Sequence, residues 1–445
     1  MKQPGYGEEH QRPGDDRLPI VLVILDGLGD RPVPELADRT PSEAAHTPHL
    51  DALARQGSNG WHLPFGWGRA PTSELAHWAM FGYSTVPFPG RGVLEALGAD
   101  VNVTPHAATV HAALRTSQQD DDRLWITGRA LRADNDDADA LLMALGPVLA
   151  AHGIHIQPLG GRGEALLTAP AHTVADVTDS DPFFETLHPW LQPRPTSDAG
   201  KPFAVTLTNA LYTARKYLLN SPINSRRTAR GLPALDVLTT KWAGVHEPVP
   251  AFIDQIGVVG AAVTSTRLYR GLATALDMRH IHLTPQAVVE KDLDARLTAA
   301  EELIDAGARF VHVHTKTTDE AGHTKAPYAK RTVLEAIDRG LARLEDIAEH
   351  AIVAVTGDHS TPSTHSLLHA GEPTPLTVVG PTVRCDEVLA FGEAPARHGW
   401  YGTLRADELL PLLLGHANRP VLLGHRITPR PVIALADQPQ HMRVQ

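Results

Sequence analysis

Two strand-like segments of the sequence end in residue types that commonly bind divalent metal ions. The apolar run 352–356 is followed, after one glycine, by Asp358 and His359, which place a carboxylate beside an imidazole. The apolar run 19–25 ends in the same way at Asp26. Active sites of open α/β sheets lie at the carboxyl ends of the strands, so we expect these side chains to converge there. The alternative for each segment is an ordinary turn at a strand end.

A third polar segment, residues 315–323, has the spacing of a metal-binding turn. Asp319 and His323 are four residues apart, so one helical turn would place them on one face and within reach of one ion. Lys316 lies shortly before them, after the strand-like run 310–313. An ordinary polar loop could have the same sequence, so the metal interpretation depends on the other two segments.

A serine stands at the start of a predicted helix in residues 71–77, where Thr72 and Ser73 precede apolar positions. The first turn of a helix directs free N–H groups and a partial positive charge outward, which stabilises an adjacent anion. Ser73 could therefore attack a phosphorus atom and be stabilised during the attack. In the alternative interpretation Ser73 only caps the helix.

The elements that would hold these segments alternate between strand-like and helix-like patterns. Apolar runs predict strands, and amphipathic runs with start and stop signals predict helices. The predicted strands cover 19–25, 256–263, 310–313, 352–356 and 376–379, and the predicted helices cover 48–56, 266–276, 293–306, 326–350 and 406–414. Between about 103 and 257 the sequence changes to acidic clusters, Pro-rich loops and scattered strands, which indicates a separate inserted domain.

The predicted core domain is discontinuous in the sequence. We expect a disordered tail at 1–17, a metal-binding core built from 18–102 and 258–436, an inserted α+β cap or substrate domain at 103–257, and a polar tail at 437–445. With 445 residues, 42% of them hydrophobic, the chain can fill two or three domains. The formal charge of −11 argues against nucleic acids and anionic membranes as partners.

The cysteine content indicates a reducing compartment, and the hydropathy predicts neither a membrane-spanning helix nor a signal peptide. The only cysteine of the sequence, Cys385, excludes an intrachain disulfide framework. No apolar run reaches the roughly 18 residues of a membrane-spanning helix, and the polar start lacks the apolar centre of a signal peptide. We therefore expect a cytoplasmic protein, and the sequence does not predict its oligomeric state.

Taken together, the motifs resemble those of the alkaline phosphatase superfamily. They occur in the order Leu25-Asp26-Gly27, Thr47-Pro48-His49-Leu50-Asp51, Ser73 in a Pro-x-Ser context, Gly90-Arg91-Gly92, Asp319-Glu320-Ala321-Gly322-His323, Gly357-Asp358-His359-Ser360-Thr361-Pro362, and His369 in a His-x-Gly-x-Pro-x-Pro setting. Within that superfamily the chain most closely resembles archaeal-type, cofactor-independent phosphoglycerate mutases, over about 19–101 and 256–414. The resemblance implies an α/β fold in which helices sandwich a mostly parallel sheet and a smaller α+β cap is inserted.

The resemblance also implies a site with two divalent ions. It assigns one ion to Asp26, Ser73, Asp358 and His359, and the other to Asp319, His323 and His369. It makes Ser73 the nucleophile, which would form a phosphoserine, and it gives Lys316 the role of stabilising charge on the transferring group. Paired cations suit phosphoryl transfer, since they neutralise the phosphoryl oxygens and align the attack. Mixed carboxylate and imidazole ligands favour Mn²⁺ or Zn²⁺ over Mg²⁺.

Substrate recognition is where the sequence departs from these mutases. Glu74 follows the serine where the mutases usually carry Asp, and the segments 160–165 and 236–241 differ from their cap motifs. Guanidinium groups suit a phosphate or carboxylate because they can bind it with two hydrogen bonds. The candidate substrate-binding residues are Arg91, Arg129, Arg162, Arg226 and Arg227, and the cluster 224–227 is favoured among them. The alternative for each arginine is a solvated surface charge.

Three functions remain open on this evidence. The first is mutase-like phosphoryl transfer on a small phosphorylated or phosphonylated carboxylic acid, with interconversion of 2-phosphoglycerate and 3-phosphoglycerate as the default. The second is a phosphatase or phosphodiesterase, or a phosphonate-pathway mutase or transferase of specialised metabolism, because a weakened cap would release the dephosphorylated intermediate. The third is a metal-binding pseudoenzyme, which the presence of Ser73 and the six other ligand positions disfavours. In the first two cases the partner is a small phosphate or phosphonate ester.

Overall fold

The structure, a computed structural model, describes residues 16–182, 187–364 and 367–421, together with residues 437 and 442. Contacts within the chain divide it into two compact units. Unit 1 consists of Met1–Pro87, Pro250–Thr266 and Leu276–Gln445, and unit 2 consists of Phe88–Val249 and Arg267–Ala275. The inserted unit therefore begins before residue 103, the predicted start of the cap, and it includes one helix from a later part of the chain.

The strands of the described residues contain between two and fourteen residues. They are β1 Ile20–Leu25, β2 Ser58–Leu63, β3 Ala107–Asp120, β4 Arg123–Arg129, β5 His155–Pro158, β6 Glu164–Ala171, β7 His188–Pro189, β8 Val237–Val245, β9 Gly260–Thr264, β10 Arg279–His282, β11 Phe310–Thr315, β12 Ile352–Thr356, β13 Thr374–Val379 and β14 Gly402–Arg405.

The helices alternate with these strands along most of the chain. They are α1 Pro41–Ala44, α2 Pro48–Gln56, α3 Ser73–Met80, α4 Arg91–Gly98, α5 Asn135–Ala144, α6 Gly146–Ala150, α7 Lys201–Leu219, α8 Pro222–Ala229, α9 Phe252–Ile256, α10 Arg267–Ala275, α11 Val289–Asp305, α12 Thr317–His323, α13 Pro327–Gly340, α14 Leu344–Ala348, α15 Glu393–Ala396 and α16 Ala406–His416.

The large sheet of unit 1 brings the predicted strand ends to one edge. Within the described residues its eight strands follow the order β10-β9-β11-β1-β12-β13-β2-β14. The first five are parallel, and Ile20 of β1 lies opposite Phe310 of β11 and Ile352 of β12. β13 runs antiparallel to both β12 and β2, so β2 points the same way as β12. The carboxyl ends of β1, β2, β11 and β12 therefore share one edge with the amino end of β13.

Apolar side chains hold this sheet from both faces. Every residue of β1 and β12 is buried, as expected for central parallel strands that helices cover. One core cluster joins Val21 and Val23 of β1 with Leu297 of α11 and Ile337 of α13. Helix α16 packs against α3, β2 and β12. The strand ends are thus fixed by a close-packed layer, which restricts the positions of the residues that follow them.

Unit 2 has its own antiparallel sheet and its own core. Its strands follow the order β5-β6-β3-β4-β7, and β8 pairs with β3. Val110 and Leu114 of β3 join Leu141 of α5 and Leu207 of α7 in one core cluster. Because side chains alternate along a strand, His111 and the other odd-numbered residues of β3 point to the opposite face of this sheet.

The structure confirms the predicted fold class, a mixed α/β architecture with a largely parallel sheet between helices. The predicted strand 256–263 is wrong at its start. Ile256 ends α9, and Gly257 adopts a φ of 95°, so the chain turns before β9 begins at Gly260. A left-handed residue of this kind ends a helix and is easiest for glycine.

The single helix predicted over 326–350 is also wrong, because α13 ends at Gly340 and α14 covers only Leu344–Ala348. The predicted tails at 1–17 and 437–445 lie almost wholly outside the described residues. None of the helices in the described part of the chain combines the length and the hydropathy required of a membrane-spanning segment.

Candidate metal centre

Ser73 begins α3 and lies beside a histidine and a carboxylate from two other segments. Thr72 is the N-cap residue, so Ser73 is the first residue of the helix and not its cap. The Ser73 Oγ lies 3.0 Å from Nε2 of His359, and that nitrogen lies 3.2 Å from Oδ1 of Asp26. All three side chains are buried. The ends of β1 and β12 and the first turn of α3 thus meet in one cluster.

Asp358 completes this cluster and is fully buried. Its Oδ1 accepts a hydrogen bond from the backbone N–H of Gly27 at 3.0 Å. Its Oδ2 is buried without a hydrogen bond among the described residues, while Nε2 of His359 and Nδ1 of His77 lie 3.6 and 3.7 Å away. A buried carboxylate oxygen without a hydrogen bond is costly, and a bound cation would offset that cost. By this observation the residues fit a divalent ion.

A second group of potential ligands surrounds Asp319. Nε2 of His323 and Nε2 of His369 lie 3.2 and 3.6 Å from the Asp319 Oδ1. The ligand atoms of these three residues all lie within 4.8 Å of one another, as do those of Asp26, Asp319 and His359. Asp319 therefore belongs to both groups, which brings all seven predicted ligands into one region. Adjacent groups of this kind suit paired ions about 4 Å apart.

Lys316 lies between the two groups. Its Nζ is 3.0 Å from Oδ2 of Asp319 and 3.5 Å from Oδ2 of Asp26. The Lys316 side chain is 41% exposed, whereas both carboxylates are almost completely buried. The ammonium group is thus paired with the cluster and accessible to a solvent-borne anion at the same time.

The charges of these side chains depend strongly on one another. Burial alone would raise the pKa of Asp26, but the Lys316 ammonium and hydrogen bonds with two histidines hold it well below its ordinary value. Burial and the neighbouring Asp26 raise the pKa of Asp358. Burial alone would lower the pKa of His359, but Asp358 and Asp26 raise it to about 9. The cluster therefore favours additional positive charge.

His314 supports Asp26 and was not identified from the sequence. Its Nε2 lies 3.0 Å from Oδ2 of Asp26, and both side chains are fully buried. Because an ionised carboxylate only accepts hydrogen bonds, Nε2 of His314 carries the proton. A signal for this role was present, since polar residues at alternate positions interrupt the otherwise apolar strand at His312 and His314.

Thr361 is a second supporting residue that the sequence did not reveal. Its hydroxyl donates to Oδ1 of Asp319 at 2.7 Å, and its oxygen lies 3.2 Å from Nδ1 of His359. Since the hydroxyl proton goes to the carboxylate, the Thr361 oxygen accepts the N–H of Nδ1. This contact turns Nε2 of His359 toward Ser73 and Asp26, the orientation that a metal ligand requires. The only available signal was the position of Thr361 two residues after His359.

Two of the predicted substrate-binding arginines already have partners in unit 2. Arg91 lies 3.8 Å over the ring of Trp242, and its Nε is 3.3 Å from Oε1 of Glu95. Arg227 is 1% exposed and pairs with Asp134 and Asp137 at 2.9 and 3.1 Å. The cluster that the sequence favoured therefore has its second arginine engaged in contacts within the unit.

The other three predicted arginines, Arg129, Arg162 and Arg226, are exposed. A further pair of cations in unit 2 was not predicted. Nζ of Lys241 lies 3.2 Å from Oδ1 of Asp181, and Nε of Arg115 lies 3.1 Å from Oδ2 of the same carboxylate. Lys241 belongs to the segment 236–241, which departs from the cap motifs of the mutases that the sequence resembles.

Comparisons with known proteins identify the family of the chain. A family model described as the metalloenzyme superfamily matches residues 18–414. The chain is 31% identical to a 2,3-bisphosphoglycerate-independent phosphoglycerate mutase 2 from Methanocaldococcus jannaschii, over 91% of this chain and 95% of that protein. It is 33% identical to a 2,3-bisphosphoglycerate-independent phosphoglycerate mutase from Pyrococcus furiosus, over 91% of this chain and 98% of the relative.

Solved structures are similar over the same length. A protein from Pyrococcus horikoshii superimposes with a TM-score of 0.74 at 29% identity, covering 90% of this chain and 98% of the other. A cofactor-independent phosphoglycerate mutase from Thermoplasma acidophilum superimposes with a TM-score of 0.59 at 27% identity, covering 90% of this chain and 99% of the other.

Proposed function

Because the chain belongs to the metalloenzyme superfamily and, within it, to the family of 2,3-bisphosphoglycerate-independent phosphoglycerate mutases, we propose that it catalyses metal-dependent phosphoryl transfer on a small phosphorylated carboxylic acid. Interconversion of 2-phosphoglycerate and 3-phosphoglycerate is the default reaction. The observation that carries the proposal is the Ser73 Oγ, which lies 3.0 Å from Nε2 of His359 inside a cluster of potential metal ligands.

The proposed nucleophile is Ser73. Its oxygen would form a bond to the substrate's phosphorus while the bond from phosphorus to the substrate's oxygen breaks. The proton of the serine hydroxyl would pass to the departing oxygen, which leaves a phosphoserine and a free hydroxyl. Transfer from the phosphoserine to the other hydroxyl would give the isomer. Lys316, paired with Asp26 and Asp319 but 41% exposed, would stabilise negative charge on the transferring group.

The seven predicted ligands would hold two divalent ions, and we propose Mn²⁺ or Zn²⁺ because the donors are carboxylates and imidazoles. When bound, such ions lower the pKa of a coordinated hydroxyl and neutralise phosphoryl oxygens. The protein's own side chains have the remaining roles, which are to orient the ligands and to exclude water. Thr361 and His314 orient two of the ligands, His359 and Asp26, and the burial of the cluster excludes water from the nucleophile.

We further propose that arginines among the predicted set bind the substrate's carboxylate or phosphate. Because Arg227 and Arg91 already have partners within unit 2, the exposed Arg129, Arg162 and Arg226 are the stronger candidates among those predicted. The engagement of Arg227 also favours a second candidate function, a phosphatase. A site that holds the dephosphorylated intermediate less firmly would transfer the phosphoryl group to water.

Phosphorus NMR of Mn²⁺-loaded protein with 3-phosphoglycerate tests these functions. Appearance of 2-phosphoglycerate supports the mutase, and release of inorganic phosphate supports the phosphatase. We expect Ser73→Ala to lower the rate at least about a thousandfold, because removal of a nucleophile disables the whole catalytic unit. Mass spectrometry of acid-quenched protein should detect a phosphoserine on the peptide that contains Ser73.

Ser58→Ala is the matched control. Ser58 is also a buried serine of unit 1, but it begins β2, at the opposite end of that strand from the edge that carries the proposed ligands, and its hydroxyl donates to the backbone carbonyl of Arg384. This variant should keep its activity. If Ser73→Ala retained the wild-type rate, or if the phosphoryl group were found on another residue, the serine mechanism would be excluded.

A further inference from the structure

Lys330 of α13 is a fully buried lysine whose ammonium group is surrounded by oxygen atoms. Its Nζ lies 2.9 Å from the carbonyl oxygens of Gly27, Gly29 and Thr361, and 3.1 Å from Oδ2 of Asp30. The side chains of Lys330 and Asp30 are both 0% exposed. Removing an ammonium group from water is expensive unless it is paired and hydrogen-bonded, and here four oxygens share its three protons.

These four oxygens come from the two loops that carry the first ligand group. Gly27, Gly29 and Asp30 follow Asp26 at the end of β1, and Thr361 follows His359 after β12. The Asp30 carboxylate also accepts the backbone N–H of Ser363, at 3.1 and 3.0 Å from its two oxygens. The Lys330–Asp30 pair thus connects both loops at once.

The loops approach each other so closely that only glycine fits at one point of contact. Gly27 has a φ of +64°, and a Cβ there would overlap Oγ1 of Thr361 and Oδ1 of Asp319. The backbone N–H of Gly27 donates to Asp358. A small separation of the loops would therefore displace ligands of both groups, since the same backbone segment contacts Asp319 and Asp358.

We propose that Lys330 is a positioning residue, whose buried ammonium acts as an internal cation and sets the distance between the loops that carry Asp26 and the Asp358–His359 pair. Without this cation, three carbonyl dipoles and one carboxylate would face each other at short range. Their repulsion would move the loops apart. The inference rests on the proposed function, because it takes Asp26, Asp358 and His359 as metal ligands.

Chemical rescue separates this role from ordinary packing. Lys330→Ala removes the ammonium and leaves space lined by the same four oxygens. Carbonyl oxygens are ligands for K⁺, and NH₄⁺ is a close substitute for the lost ammonium group. A packing defect would not respond to these ions, whereas a missing internal cation would. Tetramethylammonium chloride at equal ionic strength controls for salt effects, because that ion is too large for the space.

The experiment measures Mn²⁺ affinity by electron paramagnetic resonance and calorimetry, with Lys291→Ala as the matched control. Lys291 is an exposed lysine on α11 of the same unit. We expect Lys330→Ala to weaken Mn²⁺ binding by about 10- to 100-fold, as loss of support behind metal ligands commonly does. Addition of NH₄⁺ or K⁺ should restore most of that affinity, and Lys291→Ala should bind Mn²⁺ as the wild type does.

Lys330→Gln covers the case in which the alanine variant does not fold. It keeps two N–H donors without the charge, and we expect it to fold, as judged by circular dichroism, and still to bind Mn²⁺ at least about fivefold more weakly. Equal Mn²⁺ affinity in a folded Lys330 variant and the wild type would overturn the inference alone. A wild-type protein that binds no Mn²⁺ would overturn the proposed function and the inference with it.

Discussion

Replacement of Thr361 by valine should weaken metal binding without changing the shape of the core. The Thr361 hydroxyl donates to Asp319 at 2.7 Å and accepts from His359 at 3.2 Å, and the residue is fully buried. A hydrogen bond to a charged group contributes about 1.5–3 kcal/mol. At 1.4 kcal/mol per tenfold change, its loss corresponds to a roughly 10- to 100-fold weaker affinity for Mn²⁺. Calorimetric titration of the variant with Mn²⁺ measures this directly.

Thr377→Val is the control for this prediction. Thr377 is equally buried in the same sheet, but its hydroxyl donates to Oδ1 of Asn59 at 2.6 Å and contacts none of the proposed ligands. We expect it to lower the stability of the fold while its Mn²⁺ affinity stays at the wild-type value. The reasoning is refuted if Thr361→Val binds Mn²⁺ as tightly as the wild type, or if both variants lose affinity equally.

Two further predictions concern buried residues that are not among the proposed ligands. Burial lowers the pKa of His62 from 6.5 to about 4, so the unfolded chain takes up a proton between these values and the folded protein does not. The stabilisation is complete above pH 6.5 and is lost as the pH falls toward 4, by about 3 kcal/mol. Urea unfolding in EDTA should show this slope, and His62→Gln should reduce it. Arg227→Met should cost about 3 kcal/mol in the same assay, because it removes both ion pairs of a buried guanidinium and leaves Asp134 without that cation, while Asp137 keeps its pair with Arg230. Exposed Arg226→Met should change stability by less than about 0.5 kcal/mol. A similar cost for both would contradict the buried ion pair.

The sequence predicted the fold class, and three of the seven proposed ligands, Asp26, Asp358 and His359, could be located because they follow strand ends. A carboxylate directly after an apolar run, as at Asp26 and Asp358, is visible without knowledge of neighbouring strands. The pairing of β1 with both β11 and β12 then brings the segments together. The resemblance to a known family supplied what the local patterns left open, in particular the role of His369.

The residues that support the ligands were harder to predict because their partners are backbone atoms or distant side chains. In the sequence, Lys330 is one of several charged residues on an amphipathic segment, and a solvated position is the ordinary expectation for it. Only the approach of two loops gives it four oxygen partners. Arg227 is the opposite case, since it was predicted to bind substrate, and the structure shows it buried and paired with acidic residues of the same unit.

The shifted pKa values of the site's carboxyl groups explain why the site favours metal cations in addition to the positive side chains of the protein. Burial and Asp26 would raise the pKa of Asp319, yet hydrogen bonds with two histidines hold it far below its ordinary value. Of the three aspartates among the proposed ligands, Asp358 is the one whose pKa is raised. Lys316 is the nearby lysine paired with Asp26 and Asp319, and it is 41% exposed. Divalent ions would let Asp26, Asp319 and Asp358 all ionise while His359 loses its proton, which is the state that ligation requires. The same ions would therefore stabilise the fold and prepare the nucleophile, so loss of metal should affect stability and phosphoryl transfer together.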